Sequence, residues 1–353
     1  MPRIRLKPEN LARSRSFFDA YERLLLLEVR SLSKHEFYEA IFSRLLKPTP
    51  YAAFQLHEDA PDRNVLMMGT DQRDGFVPLL QQEAERLVDG DPVFDIGCGD
   101  GDTTAMAFER IKCKPVANYL DPNEKYVALY EDCLRSGLIP LARGQRLIED
   151  IDSLMHRAGA DPEVHALLDQ QALILSLHSI YFSAEVARFV AFVLDCLRTG
   201  GRAVIVFADE ATGYTGALTR LYLDARDAEA ADAFRRKIEA RHALFGIDGG
   251  TVFEARSTAA LQKALSREDF QVVAAHAQES RFYGDDLGDM FAFSLLTGLD
   301  DADSDPLADK IAFVKERLIH EPERFDLAIE REGMRANMIS ASQPQYYFCL
   351  EKS

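Results

Sequence analysis

The sequence predicts an α/β protein built on a parallel, doubly wound sheet, and three observations carry that prediction. Apolar runs of strand length at Val93-Phe94, Ala172–Leu177 and Ala203–Phe207 alternate with stretches of helical periodicity, the pattern of a parallel sheet covered on both faces. The first run ends in Asp95 and passes into Gly97, Gly99 and Gly101 before a helix-forming segment, Thr103–Phe108. A second strand-like run, Ala117–Leu120, ends in Asp121, about 20 residues beyond the glycine turn, where doubly wound nucleotide folds place a carboxylate on ribose hydroxyls.

The elements follow in order. Residues 16 to 47 alternate apolar and charged positions with helical period, predicting two amphipathic helices broken near Ser31–Ser33 and stopped by Pro48 and Pro50. These form an N-terminal extension over residues 1–75 whose aromatic stripes read as packing, with a lid over the pocket or a homodimer surface as the alternative. From Pro50 to Gly75 the chain reads as an irregular pocket wall containing His57 and Glu58, with Asp59 and Asp62 nearby. No regular ligand spacing surrounds His57, so no metal is expected. Phe76–Val88 is a helix closed by the turn Asp89–Pro92.

Past the glycine turn, Glu124–Arg135 is a crossover helix ending at Gly137, and a third strand falls within Ile139–Ile151. Gln145, Glu149, Asp150 and Asp152 are all candidates to meet an adenine there. Glu185–Leu197 is an apolar helix reversing at Thr199-Gly200-Gly201. Charged helices are expected over Thr219–Ala243 and Ala259–Leu265, a loop at Arg281–Leu287, an acidic linker at 298–306, helices at Ala308–Glu316 and Pro322–Arg331, and a closing edge strand at Gln345–Leu350. Ser340 to Gln343 would face the cleft. Ligands in such sheets lie beyond the carboxyl ends of the strands, which puts Asp95, Asp121, His178 and Asp209 along one rim.

Composition bounds the function. The formal net charge of -17 argues against nucleic acid, whose phosphates need clustered Lys and Arg. Five cysteines with no C-x-x-C pair suit a reducing compartment, and no apolar run reaches the roughly 20 residues of a membrane span. A cytoplasmic protein with a small-molecule partner is expected.

The glycine spacing separates two kinds of nucleotide site. A G-x-G-x-x-G turn cradles a pyrophosphate. Here the glycines fall at every second residue with Asp100 and Asp102 among them, and carboxylates so close would repel a pyrophosphate and suit a cationic ligand. The D-x-G-x-G-x-G string resembles motif I of class I S-adenosylmethionine (SAM) methyltransferases. That resemblance implies a Rossmann-like sheet of seven strands with the last antiparallel, and SAM as cofactor. Cofactor contacts are then expected from Asp95, Gly97, Gly99, Asp100, Gly101, Asp121, Pro122 and Asn123.

Leu177-His178-Ser179-Ile180-Tyr181-Phe182, the following helix, Gly200-Gly201 and a Val-Ile-Val strand are similar to the histamine N-methyltransferase family of small-molecule methyltransferases. Leu287–Phe291, Phe293-Leu296-Thr297, Glu321–Phe325 and Tyr346–Leu350 continue the likeness in order. It implies that Leu177 and Tyr126 touch the cofactor, that His178 stands where the family has a substrate-contacting glutamine, and that Tyr181 belongs to an aromatic pair. Insertions at about 209–320 would line the substrate side. His178 is the candidate general base, with Tyr181 beside it, and His57, Glu58, Phe182 and Tyr283 complete the expected substrate wall. Transfer to nitrogen is the expected reaction, with transfer to a phenol or 2-oxo acid, or a non-catalytic binding role, as the alternatives.

Overall fold

The computed structural model describes residues 3–5, 70–226, 228–284, 313, 316–317, 320–333 and 335–353. Its strands are β1 (Arg3–Arg5), β2 (Pro92–Ile96), β3 (Val116–Leu120), β4 (Ala142–Leu147), β5 (Gln171–Leu177), β6 (Leu197–Ala208), β7 (Phe270–Gln278), β8 (Arg281–Gly284), β9 (Ala328–Glu330), β10 (Ile339–Ser342) and β11 (Gln345–Lys352). The helices are α1 (Gln72–Ala84), α2 (Asp102–Phe108), α3 (Glu124–Ser136), α4 (Ile151–Ala160), α5 (Pro162–Leu168), α6 (Val186–Cys196), α7 (Tyr214–Arg226), α8 (Ala228–Phe245) and α9 (Glu254–Leu265).

Seven strands make the main sheet in the order β4-β3-β2-β5-β6-β11-β7. β2 pairs in parallel with both β3 and β5, and β5 with β6. The chain therefore winds outward from β2 to β4, returns to β5 and winds the other way, leaving a crevice at the carboxyl ends of β2 and β5.

Alternation along each strand explains why both faces are covered. Val93, Leu173, Leu175, Val204, Val206 and Tyr347 face a core shared with α1, α2 and α3. Their neighbours Phe94, Ile174, Ile205, Phe207 and Phe348 face a second core shared with α4, α6 and α9. Period-two side-chain alternation makes each apolar run serve two cores at once.

Several expectations are corrected. β11 is antiparallel as expected but lies inside the sheet, between β6 and β7, rather than at its edge. Its apolar residues Tyr346 to Leu350 are each about 1% exposed or less, which an interior strand requires and an edge strand does not. Thr199-Gly200-Gly201 belongs to β6 rather than to a helix end, because α6 stops at Cys196. Arg281–Gly284 is strand β8, not a loop. Pro322–Phe325 is one 3-10 turn followed by β9, not a helix to Arg331.

β8 and β9 join β1 and β10 in a second, four-stranded sheet of order β1-β9-β10-β8. Ser340 sits in it fully buried, donating to Glu330, and Gln343 is spent on Thr215, so these side chains hold the fold together. α1 begins at Gln72, four residues before the expected start, and the helix predicted over 219–243 divides into α7 and α8. The predicted helices of residues 16–47, the loop carrying His57 and Glu58, and the linker at 298–306 lie outside the described residues.

Candidate active site

β2 delivers the glycine turn. Asp95 falls within the strand, not beyond its end, and is 2% exposed. Its carboxylate accepts the Thr104 hydroxyl at 2.5 Å, tying β2 to α2, and burial raises its pKa to about 6. Asp95 thus secures the turn from beneath.

Gly97 and Gly99 have positive φ, +71° and +54°, but for different reasons. A Cβ on Gly97 would stand 2.6 Å from the Ser179 Cβ, so the loop after β5 packs directly on this residue. A Cβ on Gly99 would meet nothing within 4 Å. Open space beside bare main chain is what a close-fitting ligand needs. Gly101 is the left-handed N-cap of α2, and the Asp100 carboxylate accepts the Asp102 amide at 3.2 Å.

Asp121 follows β3 and is 8% exposed. One of its oxygens accepts the Gly99 N–H at 3.1 Å and the other the Asn123 N–H at 2.8 Å. The two expected cofactor segments are therefore joined directly. Asn123 caps α3 through Lys125 N–H, Pro122 is exposed, and Tyr126 and Leu177 are half-buried.

Across the crevice, His178 leaves β5 with φ +56°. Its Nε2 lies 3.1 Å from Gln345 Oε1, and its Nδ1 lies 3.3 Å from the Tyr181 hydroxyl. The Gln345 amide nitrogen donates to Gln72 O at 2.6 Å and to Gln278 Oε1 at 3.0 Å, so the oxygen is the atom turned to His178. Nε2 must then carry the proton, which leaves Nδ1 as acceptor for the Tyr181 O–H. Tyr181 in turn accepts the Ala208 N–H.

Burial lowers the His178 pKa to about 4 and drives that of Tyr181 upward. Both side chains are neutral near pH 7. Phe182 is 58% exposed on the 3-10 turn after His178.

Two neighbours escaped the sequence reading. Phe76 packs on the His178 ring with centroids 5.9 Å apart. Arg73, on the first turn of α1, is attracted by Asp100 and Asp102, and its charge helps to depress the His178 pKa. The expected helix start at Phe76 hid Arg73. The Thr70-Asp71 pair, both helix-capping residue types, was the available signal for an earlier start.

Other predicted residues have structural partners. Tyr283, on β8, donates to Asp71 at 2.6 Å and lies under Arg335. Asp209 accepts from the Ala211 N–H and the Thr212 hydroxyl and lies 3.2 Å from His242. Against the upward pull of burial, His242 and these hydrogen bonds bring its pKa to about 2. Behind Tyr181, buried Arg241 pairs with Glu210 and covers the Tyr181 and Phe207 rings at 5.3 Å.

Of the adenine candidates, Gln145 donates only its main-chain N–H to Asn118 Oδ1 and is exposed, Glu149 pairs with Arg157, Asp150 caps α4, and Asp152 holds the loop at Ser183-Ala184. Among the described residues no group of three His, Cys, Asp or Glu side chains is arranged to hold a metal, and no helix is long and apolar enough to cross a membrane.

A sheet in this order with β11 reversed, and a glycine turn and acid at its switch point, has the class I methyltransferase architecture. Among solved structures the chain is similar to a SAM-dependent methyltransferase from Thiobacillus denitrificans in complex with S-adenosyl-L-homocysteine (14% identity, 78% of this chain and 90% of that one, TM-score 0.40). It is also similar to a SAM-dependent methyltransferase from Geobacter sulfurreducens with the same ligand (12%, 78% and 90%, 0.40). A third similar structure is the plantazolicin methyltransferase BamL, in complex with a triazolic desmethyl analogue and S-adenosyl-L-homocysteine (10%, 97% and 99%, 0.38). Scores this low carry no residue correspondence. No family model and no curated protein matches the sequence.

Proposed function

We propose that this chain is a SAM-dependent methyltransferase acting on a small molecule whose nucleophile is an uncharged nitrogen. The observation that carries the reading is the junction at the sheet's switch point. Gly99 offers open main chain and is bonded to Asp121, while the His178 loop packs against Gly97 two residues away. When bound, SAM supplies an electrophilic methyl on a sulfonium and departs as the neutral thioether.

The protein's share is placement. Asp121 stands where a ribose diol can share its carboxylate, and the Asp100 and Asp102 side favours a cationic ligand. Holding nucleophile and methyl in line supplies up to roughly 7–11 kcal/mol of the barrier reduction. The alkylated nitrogen sheds its proton to water after transfer.

The state of His178 supports nitrogen over oxygen or carbon. A phenol or a carbon acid needs a base to generate its nucleophile, and His178 has one nitrogen protonated and the other engaged by Tyr181. A neutral amine or azole attacks through its own lone pair. On this reading His178, with both nitrogens held by Gln345 and Tyr181, shapes the acceptor's side of the crevice through its ring rather than deprotonating the acceptor, a departure from the general-base role expected from sequence. The likeness of residues 177–182 to histamine N-methyltransferases also favours an amine or heterocycle.

Calorimetric titration with SAM and S-adenosyl-L-homocysteine, then labelled methyl transfer to a panel of amines, azoles, phenols and 2-oxo acids, tests the proposal. Binding of neither nucleoside would overturn it. Transfer confined to phenols or 2-oxo acids would overturn the choice of nitrogen.

A further inference from the structure

Part-buried arginines in this chain generally have a carboxylate. Arg202 lies between Glu83 and Glu351, Arg241 pairs with Glu210, and Arg267 with Asp195 and Asp269. Arg73 differs. Its Nη1 reaches only the Met106 thioether at 3.9 Å, and among the described residues no carboxylate comes within ion-pair distance. Desolvation with only distant carboxylates lowers its pKa. A half-buried guanidinium without a contacting anion is unfavourably placed, and it offers a planar fork suited to one carboxylate held through two hydrogen bonds.

Its location limits what that anion is. Its guanidinium lies against Met106 on α2, the helix that leaves the glycine turn, while Phe76, three residues along α1, packs on the His178 ring across the crevice. It therefore lies along the crevice between the turn and the end of β5. The amino-acid arm of the cofactor carries a carboxylate and an ammonium on one carbon. A cation on α1 facing two acids on the turn is the complement of that zwitterion.

We infer that Arg73 receives the α-carboxylate of the cofactor's amino-acid arm, with the Asp100 side of the turn facing its ammonium. This rests on the SAM-binding reading above. Arg73 thereby sets the direction in which the arm runs, and with it the position of the sulfonium methyl relative to His178.

The test compares two probes that share a nucleoside. S-adenosyl-L-homocysteine has the amino-acid arm, whereas 5′-methylthioadenosine has only a methyl on sulfur. Each is titrated calorimetrically into wild type, Arg73→Gln and Arg73→Lys. The expected result for Arg73→Gln is a loss of roughly 10- to 100-fold for the first probe and no change for the second, with Arg73→Lys between. Retained 5′-methylthioadenosine binding also reports that the pocket is folded. Equal losses for both probes would overturn the inference, as would an unchanged affinity for S-adenosyl-L-homocysteine. If wild type binds neither probe, the SAM-binding reading itself fails, an outcome distinct from those two.

Discussion

His178 donates its Nε2–H to Gln345 Oε1 across 3.1 Å, joining the end of β5 to the first residue of β11. Gln345 is itself fixed by Gln72 O and Gln278, so the imidazole has one tautomer and no counter-charge. Gln345→Glu places a carboxylate opposite the Nε2–H and favours the imidazolium. The expected outcome is a His178 pKa moved from about 4 into the range of 6 to 8, roughly. Nitrogen and ring-proton chemical shifts followed through a pH titration measure it, and an unmoved titration would contradict the assigned tautomer.

Acid stability should carry the signature of the same residue. His178 has a folded pKa of about 4 against an ordinary 6.5, so between those values the unfolded chain binds the extra proton and stability falls as pH falls. Asp95 and Asp102, both raised to about 6 chiefly by burial, act with the opposite sign, since the folded chain protonates them first. His178→Gln removes only the first contribution. Relative to wild type it should gain roughly 2 kcal/mol between pH 7 and pH 5, read from denaturant unfolding at the two pH values. A difference independent of pH would show that His178 is not buried neutral.

Gly97 and Gly99 should separate folding from binding. Gly97→Ala drives a methyl into Ser179 and adds left-handed strain of about 1–2 kcal/mol, so thermal stability should drop sharply. Gly99→Ala pays only the strain, because nothing stands within 4 Å of its Cβ. Its main effect is expected on SAM affinity, through the methyl filling the ligand's space. Equal stability losses in calorimetric melts, with equal SAM affinities, would count against the open face of Gly99 as the cofactor surface.

Alanine at Asp121 and at His178 should act on different kinetic constants. Asp121→Ala removes an acceptor shared by the Gly99 and Asn123 amides and the proposed ribose contact, and is expected to weaken SAM binding by at least about 10-fold. His178→Ala should lower kcat more than it changes SAM affinity. Steady-state kinetics beside SAM titration decide, and a common loss of SAM binding would defeat the division of roles.

The glycine-turn side of the crevice is legible locally. The glycine turn, Asp121 and the strands around them are each specified within a few residues of sequence, although Asp95 lies inside β2 rather than on the rim. The His178 side is not. Gln345 reaches His178 from 167 residues away, and Arg73 enters through a helix whose first turn lacks an apolar stripe. The position of β11 also escapes periodicity, since an apolar run of that length reads the same at an edge as between two partners. β8 and β9 are three or four residues long and are stabilised by pairing with each other's neighbours, which no local pattern records.

The placement of β11 has a consequence for how the protein is made and handled. Until residues 345–352 arrive, β6 and β7 each present an open row of amide and carbonyl groups, and open strand edges are templates for pairing with other molecules. Aggregation during refolding should accordingly concentrate in the interval before this strand inserts, and dilution or a chaperone that covers exposed edges should raise the yield.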